Sequence, residues 1–100
     1  MLKEKAVKAN AIVAIKLTTG EEIICQMVEP QTVESTLMVS RPLTMVMVEG
    51  DKSSQQMKVV FTPWMIAAGK DHVGINRQHV LAMVPAKQDA AAQYEQAVSS

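Results

Sequence analysis

Aromatic side chains are nearly missing from this chain: Phe61, Trp64 and Tyr94 are the only three in 100 residues. The core cannot be built from stacked rings, and eight methionines stand in as adaptable fillers. Cysteine is scarcer still. Cys25 alone excludes an internal disulfide and any cysteine-rich metal site. It lies among Ile24, Gln26 and Met27 in a strand-like run and reads as a buried, inert thiol. Net charge is also absent, ten basic residues balancing ten acidic ones. No global field then draws the chain to nucleic acid, so any such binding must come from a local patch or one multiplied by symmetry. Long apolar runs are missing too, and nothing approaches the roughly 20 residues needed to cross a bilayer. The uncharged stretch Ala9–Ile15 is too short for a secretory leader and is followed by Lys16. The expectation is a soluble, cytoplasmic protein.

Catalytic groups are equally sparse. His72 and His79 are separated by a strand and a turn, with no carboxylate spaced to couple to either. No His- or Cys-rich metal spacing and no Gly-rich phosphate loop is present, so no enzyme activity, metal or cofactor is expected. Glu21-Glu22 follows a turn and reads as a solvated hairpin end.

What the chain does have is short alternating runs. One domain fits in 100 residues, and a domain of that size removes only about two-thirds of its surface from water, so association with further copies would add stability. Residues 1–10 include helix formers that could make an N-terminal helix or arm. Val13, Ile15 and Leu17 alternate with Ala14 and Lys16, the period of a half-buried strand. Thr18-Thr19-Gly20-Glu21 breaks the run, and a second follows with Ile23, Cys25 and Met27 on one face. The two make a β-hairpin. Pro30 ends the second run, because proline cannot donate to a ladder. Thr36–Val39 begins a third strand, Arg41-Pro42 bends it, and Leu43–Val48 continues it with apolar residues on both faces, as for a sheet that also contacts a partner. A polar loop at 50–56 leads to Met57–Phe61, closed by Pro63-Trp64. Val73–Ile75 and Val80–Val84 are the last strands, joined by the polar turn Asn76-Arg77-Gln78-His79. Gln88–Val98 is rich in Ala and Gln and forms a peripheral helix or tail. About six short strands at close spacing indicate a small antiparallel barrel or strongly bent sheet.

Asn76, Arg77, Gln78 and His79 are the most informative polar cluster. Their side chains can donate to phosphates or base edges, and an imidazole can stack on a base. A tight turn also needs polar residues for its own sake. Trp64 reads as a core or subunit-interface anchor, or as an exposed stacking platform.

The order of these elements resembles Sm and Sm-like proteins, the family that includes bacterial Hfq. The apolar run into Leu17-Thr18-Thr19-Gly20 looks like the first family motif. Ile75-Asn76-Arg77-Gln78-His79-Val80-Leu81-Ala82-Met83-Val84 resembles the second, and Gln78-His79 is similar to the Lys-His pair of Hfq. The resemblance spans roughly Ile12 to Pro85, and is closer still to divergent Sm-like proteins of tailed phages of marine cyanobacteria. It implies an all-β fold, a strongly bent five-stranded antiparallel barrel of SH3 type over residues 11–85, with a short N-terminal helix over 1–10 and a C-terminal helical tail over 86–100. It implies a closed homo-oligomeric ring of about five to seven copies, edge strands pairing between subunits. Trp64, Val80, Ala82 and Val84 are the expected interface residues, and Asn76, Arg77, Gln78, His79 and Ser35 the expected contacts for single-stranded RNA. The alternative is a structural or protein-interaction ring module that has lost RNA binding. A phage origin would place the protein in a host bacterium's cytoplasm. Three departures stand out: the first motif's second glycine falls at Cys25, its Asp and Asn fall near Gln31 and Ser35, and Arg77 lacks the glycine that accompanies it in the family.

Overall fold

A computed structural model describes residues 11–28, 35–49, 57–65 and 71–99. The expected N-terminal helix lies outside the described residues, as do Gln31 and the polar loop at 50–56. Among the described residues six strands, β1 (Ile12–Leu17), β2 (Glu22–Met27), β3 (Thr36–Glu49), β4 (Met57–Pro63), β5 (His72–Asn76) and β6 (Val80–Pro85), precede one α-helix, α1 (Gln88–Ser99). A single 3-10 turn, Arg77–His79, joins β5 to β6.

The β1–β2 hairpin pairs Ile12 with Gln26 through Lys16 with Glu22. Its turn needs Gly20, whose φ of +102° is a conformation that residues bearing a Cβ rarely adopt. Residues opposite each other across a ladder share a face and alternate along the strand. One face of the sheet therefore carries Val13, Ile15, Leu17, Ile23, Cys25 and Met27, which join Leu37, Val39 and Ile75 in the core. Each fully buried aliphatic side chain of this kind contributes about 1.5–3 kcal/mol.

β3 organises the rest. At 14 residues it is too long to lie flat, and it bends at Arg41, whose φ is +50°, followed by Pro42. Its first half pairs with β5, from Thr36–Asn76 to Ser40–His72, and its second half with β4, from Leu43–Pro63 to Glu49–Met57. The strand opposite β3 is thus divided in two. This accounts for six strands where five were expected, because β4 ends opposite Leu43 and β5 begins opposite Ser40, on either side of the bend.

The sheet order is β4-β3-β2-β1-β6, with β5 beside the other half of β3. The expected five-stranded bent barrel is here a six-stranded sheet that does not close into a barrel. Among the described residues β6 pairs only with β1, and β4 and β5 each only with β3, leaving an open, bent sheet edged by β6 on one side and by β4 and β5 on the other. Apolar side chains remain exposed towards both: Val46, Met47, Val48, Val59 and Val60 near β4, Leu81 and Val84 on β6.

α1 covers part of the face opposite the core. Its single large apolar anchor, Tyr94, is 1% exposed. The hydroxyl lies 3.0 Å from the Ser40 carbonyl and 2.9 Å from the Arg41 carbonyl, sharing one proton between them. These carbonyls sit at the β3 bend, where the ladder is interrupted. Arg41 in turn donates to the Val98 carbonyl near the end of α1 and pairs with Asp71, both at 3.4 Å. The peripheral helix is anchored to the sheet through Tyr94, and Ile24, on the outward face of β2, is fully buried.

Candidate functional site

The polar quartet gathers at one end of the sheet. Asn76 ends β5 and caps the 3-10 turn, its Oδ1 accepting from the Gln78 backbone N–H at 3.0 Å. A carboxamide in this role satisfies one of the donors that a helical turn leaves unpaired. Its carbonyl oxygen is thus committed to the turn, and Arg77, Gln78 and His79 are exposed.

The turn is tied at both ends. On one side the Arg77 N–H donates to the Ser35 carbonyl at 3.0 Å, so Ser35, although 42 positions earlier in the numbering (77 − 35), lies beside the turn. On the other side the Thr18 N–H donates to the His79 carbonyl at 2.8 Å. The Thr18 Oγ1 also lies 3.3 Å from His79 Nδ1. Two turns from distant parts of the chain, Thr18–Glu21 and Arg77–His79, therefore meet because β1 and β6 are neighbours, with Leu17 opposite Val80. All five candidate RNA contacts fall in one exposed cluster. His72 does not join it: it begins β5, opposite Ser40 at the β3 bend.

Next to this cluster, Trp64 packs against the core and donates its indole N–H to Glu21 Oε1 at 2.9 Å. The indole is half-buried, its apolar body used on the core and its polar edge on a carboxylate. Glu21, read from sequence as a solvated hairpin end, is exposed but partnered. Thr18, Glu21 and their neighbours were not among the expected site residues. The signal that could have found them is strand order, since pairing the first alternating run with the last brings Thr18 to His79.

The remaining expected interface residues divide. Val80 is half-buried and packs on the core, as Trp64 does, whereas Ala82 and Val84 are exposed on β6. Cys25 is fully buried, and burial pushes its thiol up to about 12, far from a reactive thiolate at neutral pH. Among the described residues no group of three or more His, Cys, Asp or Glu side chains converges as for a metal, and no helix is long and apolar enough to cross a membrane.

The family model for the Sm_like domain matches residues 14–95, from the middle of β1 into α1. The chain belongs to the Sm-like family. Members of this family often bind RNA and form rings, and are generally not enzymes. No curated protein matches the chain. The β1–β2 hairpin and the β5–turn–β6 unit are the two motifs that carried the resemblance, and the open bent sheet connects them through β3. In this Sm-like chain the docking of α1 on the outer sheet face is built from Tyr94 and Arg41, and the match to residue 95 includes Tyr94 but stops before Val98.

Proposed function

We propose that the protein assembles head to tail into a closed homo-oligomeric ring and binds single-stranded RNA without catalysing a reaction. Arg77 and His79 of each subunit would line the pore, assisted by Gln78, Asn76 and Ser35. The observation that carries the reading is the gathering of Ser35 and the 3-10 turn through the Arg77–Ser35 bond. One surface then presents a guanidinium, an imidazole, amides and a hydroxyl, a donor set suited to phosphates and base edges.

Ring assembly is supported by the two open edges. β4 and β6 are different strands, so pairing one to the other on a second copy makes a heterologous contact, which closes into a ring when the rotation permits. Both edges carry exposed valines, and exposed apolar edge strands invite pairing. Symmetry also answers the neutral charge, because a weak contact repeated around a ring gains avidity.

RNA affinity measured against salt tests the reading. Binding to A- or U-rich oligonucleotides should weaken with salt, and Arg77→Ala should make the log–log slope shallower by about 0.7 for each phosphate that Arg77 neutralises. Absence of wild-type binding at low salt overturns it. A ring that serves protein interaction alone is favoured by the zero net charge and by Cys25 and Arg77 standing where the motif departs. Protein partners that persist through nuclease treatment would support that second reading.

A further inference from the structure

The RNA reading leaves open what His79 offers a ligand, since a neutral imidazole presents a donor on one nitrogen and an acceptor on the other. Thr18 touches this ring at Nδ1. The backbone bond from Thr18 N–H to the His79 carbonyl, 2.8 Å long, fixes the two residues side by side. Thr18 Oγ1 then lies 3.3 Å from Nδ1. A β-branched side chain has few χ1 choices, so the hydroxyl is aimed by its own backbone rather than by chance. An unprotonated Nδ1 is a better hydrogen-bond acceptor than a hydroxyl oxygen, which favours the hydroxyl as the donor.

We propose that Thr18 is a positioning residue for His79: its hydroxyl donates to Nδ1, which holds the ring proton on Nε2 and turns an N–H donor outward. The ring then seeks a hydrogen-bond acceptor on single-stranded RNA, a phosphate or base oxygen, in place of an exocyclic amine. This rests on the RNA reading for its ligand, whereas the tautomer itself does not. The bond also couples the β1–β2 turn to the recognition turn, so the first motif contributes to binding through the second.

Imidazole nitrogen shifts, read from long-range proton–nitrogen spectra at the alkaline plateau of a titration, report the tautomer directly. His72→Gln assigns the two rings, since the chain has only two histidines. The wild type should show His79 as the Nε2–H form. Thr18→Val keeps the shape but loses the hydroxyl, and should give mixed tautomers with RNA affinity lowered about three- to tenfold, the worth of one ordinary hydrogen bond. Thr18→Ser should restore both, which separates the hydroxyl's role from simple packing. An Nδ1–H form in the wild type, or a Thr18→Val spectrum and affinity unchanged from it, overturns the proposal. The Nε2–H form in a protein that binds no RNA overturns the RNA reading while supporting the positioning contact.

Discussion

The two halves of β3 are built from the same kind of residue and meet opposite fates. In the first half Leu37 and Val39 are 1% and 0% exposed; in the second Val46 and Val48 are 40% and 38% exposed, and Met47 between them 61%. Both halves are paired in ladders, but not alike: the first half pairs with both β5 and β2, whereas beyond Thr44 the second half pairs with β4 alone. What lies above the strand differs as well. The first half packs with β1, β2 and β5 in the core, while the second half runs on beyond the end of β2 beside β4. An apolar strand paired on one side and without a covering layer has part of its packing still unmet, and a second copy of the chain can supply it.

Removing a side chain from each half should break this symmetry of sequence. Leu37→Ala should cost about 3 kcal/mol through lost burial and a residual cavity, seen as a lower denaturant midpoint. Met47→Ala should stay within about 0.5 kcal/mol in dilute protein where chains are separate, as for other exposed positions.

Alkali should also act on the first half. Cys25 and Tyr94 lie beside it, and burial raises the thiol from 9.0 and the phenol from 10.0, each to about 12. For Tyr94 the neighbouring Cys25 adds to the rise, while Arg41 and the Gln26 backbone oppose it. The folded state holds these protons more tightly than the unfolded chain. Their contribution is therefore complete below about pH 9 and is lost as pH climbs towards about 12. Denaturant midpoints measured across that range should fall, and in Cys25→Ala the fall should begin nearer 10. A flat profile would show that neither group is buried as described.

A smaller effect is expected at the junction between the halves. Tyr94→Phe removes the proton shared by the Ser40 and Arg41 carbonyls and should cost about 1 kcal/mol. Faster amide exchange in α1 than in β1 would locate the loss in helix docking.

Much of the strand content could be read from the sequence, for a physical reason: alternation and its interruption by Gly20, Pro42 and Pro63 are local properties. The bend at Arg41-Pro42 and the helix from Gln88 belong to the same class. Closure was not legible, because an apolar edge looks the same whether its partner is in the same chain or another. The site divides likewise. Asn76–His79 announce themselves as polar residues between apolar strands. Thr18 and Glu21 do not, since their partners His79 and Trp64 are reached only through the pairing of β1 with β6 and the packing of β4's end on the core. Tyr94 stood out as one large residue among alanines, but its destination at a bend in β3 depends on long-range geometry.

The native mass of the protein in solution tests the central claim most directly. The account predicts a discrete species at several times 10.9 kDa, the mass of a ring. Introducing charge at both open edges, with Val60→Lys on β4 and Leu81→Lys on β6, should reduce it to a single folded chain. A wild type that runs as one 10.9 kDa chain at high concentration would contradict the account.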